Sequence, residues 1–299
     1  GSWTLRSTPG TNTLTASASG LTSVTFTATG TVVDASFNIE VRILGSMSSA
    51  VQAAFAAAEA KWESVVIGDI SDVHLTSAAG ECGIAPAVNE TVDDLVIYAK
   101  VEAIDGPGKI LGQAGPCWLR SSNSLPILGT MEFDEADMAS MAADGTLGDV
   151  ILHEMRHVLG FGTVWDYLFL LQDAGTADPY FSGAGAKSAY AGLGATIVNG
   201  VPLENTGDEG TRDSHWRETT FHNELMTGWI SGAGNPLSLV TVRSMGDMGY
   251  TVNAAAADAY SLPSPSPARV AEPGIVTPWE RLLKPRGAVM PDGRKVPIR

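Results

Sequence analysis

The chain has 299 residues, 44% of them hydrophobic and 17% charged, which is enough to bury a sizeable core, while its apolar runs are too short to span a membrane. A formal net charge of −15 excludes nucleic acid and anionic membrane surfaces as natural partners, since both would be repelled.

Residues 1–31 carry short Thr-rich alternating runs, Asn12-Thr13-Leu14-Thr15-Ala16 and Val24 to Thr29, separated by Ser-Gly, which predict β-strands and turns. This stretch resembles the last strands of a bacterial immunoglobulin-like repeat, and so few residues cannot close a sandwich alone. No signal peptide is visible, so it has been removed or the sequence starts inside a longer protein. Further on, Phe37 to Leu44 alternates as a strand, Ser48 to Val66 is Ala-rich and helical with Trp62 on its apolar side, and Asp93 to Ala103 reads as another strand. Cys82 and Cys117 flank a stretch rich in Gly, Pro and Val; an even count in an acidic chain of exported character predicts one disulfide and an oxidising compartment. The alternative, a thiolate that blocks a metal, would leave an odd free thiol. Gly129 to Phe133 is expected as a short edge strand before a helix starting near Asp134. The acidic runs Glu132 to Asp137 and Asp173 to Asp178 are calcium candidates without the spacing of a regular calcium loop, and helix caps or solvated carboxylates explain them equally. The sequon Asn89-Glu90-Thr91 matters only in a glycosylating host.

Ile151 to Gly160 contains H-E-x-x-H inside a helical pattern. Thr146 is expected to cap the helix, with Asp149 three residues on, and Gly160 and Gly162 to stop it. His153 and His157, at i and i+4, share a face and can converge on one zinc ion, while Glu154 sits about 100° round the helix, beside the metal, where it can take a proton from water. The bland alternative is a pair of buried helical histidines. A catalytic zinc takes three protein ligands and keeps a fourth position open. Thr163 stands where the short metzincin pattern H-E-x-x-H-x-x-G-x-x-H has its third histidine, so that ligand must come from further away, and the remaining histidines are His74, His215 and His222.

In the motif H-E-x-x-H-x-L-G-F the second histidine, His157, is followed after 57 residues by His215-Trp216 and then by Glu224-Leu225-Met226, with Met226 eleven residues past His215. Together these resemble the leishmanolysin family of metzincin zinc peptidases, over roughly residues 36 to 252. The resemblance implies His153, His157 and His215 as zinc ligands, Glu154 as general base and Met226 as the methionine of a Met-turn. His222, Glu218 and Glu224 are rivals for the third ligand. Arg156 departs from the small residue usual at its position and is expected to bear on access to the cleft. In zinc peptidases of this type an edge strand pairs with extended substrate. No nucleophile elbow, P-loop or dinucleotide fingerprint is present.

The C-terminal segment differs in kind. Ser261 to Pro267 alternates proline, and from Leu262 to Arg299 the charge is +4 against −19 for the remainder. A basic strap is expected to lie on the acidic body, anchored by Trp279, Leu282 and Leu283; a structural role is preferred to that of an inhibitor reaching the cleft. The reading is therefore an α+β, two-lobed zincin of metzincin type with a mixed sheet and an active-site helix. Residues 1–31 form the Ig-like remnant, 32–260 the catalytic domain (upper lobe to about 160, lower lobe 161–260) and 261–299 the strap. The expected function is that of a secreted or cell-surface zinc endopeptidase acting on protein or peptide substrates, monomeric, without membrane insertion. The competing reading is a catalytically silent adhesion module on the same fold.

Overall fold

The computed structural model describes residues 10–30, 36–208, 210–230, 232–263 and 279–298. They fall into two compact units, residues 1–36 and 37–299. In the first, β1 (Gly10–Ala16) and β2 (Val24–Gly30) form an antiparallel hairpin whose Thr13↔Thr27 and Thr15↔Thr25 pairs express the threonine alternation. Its large apolar side chains Leu14, Val24 and Phe26 are exposed.

The second unit is mixed α+β. In chain order it begins with β3 (Ile39–Leu44), α1 (Ser49–Val65), β4 (Val73–Ser77), β5 (Val88–Val92), β6 (Leu95–Glu102), β7 (Ile110–Arg120) and β8 (Pro126–Asp134). Then come α2 (Glu135–Asp144), α3 (Leu147–Val158), β9 (Leu171–Gln172), β10 (Tyr180–Phe181), α4 (Ala184–Gly192), β11 (Val201–Pro202), α5 (Glu218–Phe221) and α6 (Leu239–Met248). It ends with β12 (Trp279–Leu282), β13 (Gly287–Val289) and β14 (Lys295–Val296). The main sheet has the order β14-β13-β7-β8-β6-β3, with β12 also on β7. Strands β3, β6 and β8 are parallel, β7 is antiparallel to β8, and β12 and β13 both run parallel to β7.

Burial on both faces follows from the β6 sequence: Leu95, Ile97 and Ala99 enter the core beneath the helices, and Val96 and Tyr98 enter a second core under the β4–β5 hairpin. Helix α1 buries Val51, Phe55, Ala58, Trp62 and Val65 at helical spacing, capped by Ser48. The Trp62 indole donates to Leu152 O at 2.9 Å, tying α1 to α3. Cys82 and Cys117 are disulfide-bonded, fastening the turn after β4 to β7. The expected edge strand is corrected: Gly129 to Phe133 belongs to β8, an interior strand between β6 and β7. The free side of β7 carries β12 and β13 instead.

Candidate metal centre

Helix α3 holds three of the site's side chains, and its ends are fixed from outside. Thr146 makes no side-chain cap. Asp149 instead accepts from Gly234 N, Asn235 N and Asn235 Nδ2 at 2.6, 3.1 and 2.9 Å, tying the helix start to the segment before α6. At the other end Gly160 and Gly162 take positive φ, and a Cβ on Gly162 would run into the backbone of Ser214. That close approach brings the neighbouring His215 to the helix.

His153, His157 and His215 present their Nε2 atoms to one another at 3.0 to 3.1 Å, all three rings buried. Each Nδ1 faces a carbonyl oxygen, which can only accept: Leu225 O at 2.7 Å for His153, Phe161 O at 2.8 Å for His157 and Thr211 O at 3.0 Å for His215. The protons are therefore on Nδ1 and three Nε2 lone pairs converge. Burial lowers the His157 pKa to about 4 against the opposing pull of Glu280, so this imidazole is neutral near pH 7. Converging lone pairs without a proton between them repel unless a cation lies among them. Tetrahedral zinc with ligand bonds of about 2.0–2.1 Å would set its nitrogens about 3.3 Å apart, close to what is found here.

A fourth side chain completes the group. Glu280, on β12, lies 2.6 Å from His215 Nε2, 3.1 Å from His153 Nε2 and 3.3 Å from His157 Nε2, and is buried. Its Oε1 makes no hydrogen bond among the described residues, as suits a carboxylate facing a cation. His153, His157, His215 and Glu280 together form a group able to hold a metal. Sequence reasoning missed Glu280, one of three acids among seven Lys or Arg between Leu262 and Arg299, with no spacing to mark it.

Glu154 is buried at the same place, with Oε2 unpartnered among the described residues. Burial and then the neighbouring Glu280 charge raise its pKa well above the carboxylate norm. The rivals fall elsewhere. Glu224 is buried beneath the turn before Met226, accepting from Met226 N at 2.6 Å, Ser238 N at 3.0 Å, Ser238 Oγ at 2.7 Å and Thr241 Oγ1. This holds in place Leu225, whose carbonyl orients His153. Met226 is buried, and its carbonyl accepts from Trp216 N at 2.9 Å, linking the turn to the residue after His215. His222, Glu218 and His74 do not join the metal-holding group.

Residues 76–262 match the family profile of the leishmanolysin peptidases. The chain belongs to the leishmanolysin family. A leishmanolysin homolog of Crithidia fasciculata is 30% identical over 168 residues, covering 52% of this chain and 24% of the relative, so the chain spans about a quarter of that relative's length. Glu280 and its strand lie beyond the matched span.

For this leishmanolysin-family chain Arg156 needs a corrected account. Expected to bear on the cleft, it is instead fully buried on the other side of α3. Its guanidinium lies 3.5 Å from the centroid of the Phe161 ring and 5.6 Å from that of Trp62, with Nη2 donating to Thr241 O at 2.9 Å and Ser244 Oγ at 2.7 Å. It pins α3 to α6. Calcium is not supported either. Asp134 caps α2 and accepts from Asp105 N and Gly106 N at 2.8 Å, Asp137 accepts from Gly108 N at 2.8 Å, and neither acidic run contributes to a metal-holding group among the described residues. No helix among the described residues is long and apolar enough to cross a membrane.

A cavity of about 550 Å³ lies at the start of α3, lined by Leu111, Met141, Val150 and Ile230 with Asp137 and Asp144.

Proposed function

We propose that the chain is a secreted zinc-dependent endopeptidase of metzincin type, acting on protein or peptide substrates, with His153, His157 and His215 as ligands and Glu154 as general base. The observation that carries this reading is the convergence of three Nε2 atoms whose rings are each oriented by a carbonyl at Nδ1, with the buried carboxyl of Glu154 beside them. A zinc ion held there would lower the pKa of a water to about 7 and polarise a peptide carbonyl. Glu154 takes the proton of the attacking water at its Oε2 and returns it to the leaving amine. No covalent intermediate is needed. Met226, buried in the turn after Glu224 and Leu225, is the Met-turn methionine of this reading.

In the same reading residues 32–260 are the catalytic domain, with the lower lobe from about 161, and 1–31 close an Ig-like repeat, in keeping with the β1–β2 hairpin. The Cys82–Cys117 disulfide supports an oxidising, extracellular setting. Glu154 favours the enzyme over a non-cleaving adhesion module, which needs no proton acceptor at the metal. The test is zinc content with casein cleavage, read in Glu280→Ala and in Glu280→Ala/Glu154→Ala. One zinc per chain in both, with cleavage in the first alone, is expected. Absence of zinc overturns the ligand assignment, and cleavage independent of Glu154 overturns its role.

A further inference from the structure

A catalytic zinc keeps one position open for water and substrate, yet here a carboxylate of the chain itself lies against all three imidazole nitrogens. Three independent features of the C-terminal segment converge on it. The first is the carboxylate: Glu280 places both oxygens among the three Nε2 atoms, with one oxygen unsatisfied by any hydrogen-bond donor among the described residues. The second is the backbone. Strand β12 runs parallel to β7, with Glu280 opposite Gly112, Arg281 opposite Gln113 and Leu282 opposite Ala114, and Leu283 N donates to Ala114 O at 2.9 Å. Strand β13 continues the pairing from Gly287↔Trp118 to Val289↔Arg120. The segment therefore covers the same β7 edge, next to the metal-holding group, that an extended peptide would need.

The third feature is a seat shaped for this backbone from both sides. A Cβ on Gly115 of β7 would run into the carbonyl of Leu283, and one on Gly210 would run into the carbonyl of Glu280. Past the metal group the segment is held further: Arg286 N donates to Cys117 O at 2.8 Å, and Lys295 Nζ lies 2.6 Å from Glu81 and 4.1 Å from the centroid of the Trp118 ring.

We propose that Glu280 is a built-in fourth metal ligand, carried to the site by a strand that occupies the β7 edge, so that the chain as folded is a latent peptidase closed by its own C-terminal segment. This rests on the zinc-peptidase reading. Tethering keeps the carboxylate at an effective concentration on the order of millimolar or more, which a substrate peptide must outcompete. Substrate binds only in the fraction of molecules whose strand is displaced, and its apparent affinity falls by that fraction. The segment offers the metal group a side-chain carboxylate, while the Glu280 carbonyl faces Gly210, so its own peptide bond is not presented for cleavage.

Two full-chain variants separate the parts of this claim. Glu280→Gln removes the charge and keeps the shape. Gly115→Val keeps every metal-holding residue and the carboxylate but pushes the segment off β7, since the atoms nearest an added Cβ all belong to Leu283. Both are compared with wild type, loaded with one equivalent of zinc, for the rate of zinc transfer to a chelator and for casein cleavage. Losing the fourth ligand should make zinc transfer at least about 10-fold faster in both variants, as loss of even an outer partner of a metal ligand weakens binding 10- to 100-fold. Cleavage should rise at least about 10-fold in both. Equal zinc transfer and equal cleavage in all three chains would overturn the proposal. Faster zinc transfer without cleavage in any chain would support Glu280 as a ligand while overturning the peptidase reading, and chains that take up no zinc would overturn both.

Discussion

The metal-holding group takes side chains from α3, from His215 in the stretch before α5 and from β12, and the first and last of these are built on opposite principles. Helix α3 delivers His153, Glu154 and His157 from five consecutive positions, buried, with Arg156 pinned behind them on α6 and each imidazole held by a carbonyl. Strand β12 delivers Glu280 from 65 residues past His215, on a four-residue strand paired along one side and followed by an irregular stretch to β13. Helix ligands are locked by core packing, whereas the strand ligand sits on a four-residue strand whose pairing is with β7 alone. The difference teaches where the proposed latency would be released: at the strand, with the helix ligands left in place.

The comparison breaks most decisively at the ligands themselves. His157→Ala should abolish stoichiometric zinc binding, read by elemental mass spectrometry, whereas Glu280→Gln should still carry one zinc per chain; equal loss in both would erase the distinction. Glu154→Gln should keep zinc and lower cleavage by about 10²- to 10⁴-fold in chains freed of the strand, the usual contribution of a general base. Glu224→Ala strands buried donors beneath the turn that orients His153, and should cost on the order of 3 kcal/mol or more in urea unfolding.

A smaller effect distinguishes the metal-free protein. Its His157 takes a proton only near pH 4, while the unfolded imidazole takes one near 6.5. Between these values the unfolded chain binds more protons, so stability should fall as pH drops through that window. The test uses Glu154→Gln, because the raised Glu154 carboxyl adds the opposite slope; a urea midpoint of that variant that rises on acidification would contradict the buried, neutral imidazole. The smallest change is expected from Arg156→Met, which replaces a buried cation by an apolar chain of similar length; stability should stay within about 1 kcal/mol, because desolvation offsets most of what that cation gains.

How much of this was legible follows from what each element depends on. Periodicity revealed α1 through Val51, Phe55 and Trp62, and α3 through the histidine spacing, because helical ligands and core faces repeat locally. Strand β7 was not legible: Gly112, Gly115 and Pro116 interrupt its alternation, and its register shifts beyond Pro116, so β8 was mistaken for the edge. The third histidine was legible only through the family resemblance, since Gly162 brings it in by a close approach rather than by spacing. Thr146 misled because the polar tie at the helix start runs through Asp149 to a distant segment. Glu280 left no pattern at all, its place being set by pairing across the sheet; the Trp279 side chain and the proline-rich run from Ser264 on, which drew attention to the strap, lie outside the described residues, whereas Leu282 is buried and does anchor it.

The most direct test of the account is X-ray absorption at the zinc edge of the full chain loaded with one equivalent of zinc. The account predicts three imidazole nitrogens and one carboxylate oxygen, with the oxygen replaced by solvent in Glu280→Ala. A shell with fewer than three imidazoles would contradict the site built on His153, His157 and His215, and a wild-type shell indistinguishable from that of Glu280→Ala would remove the strand from it.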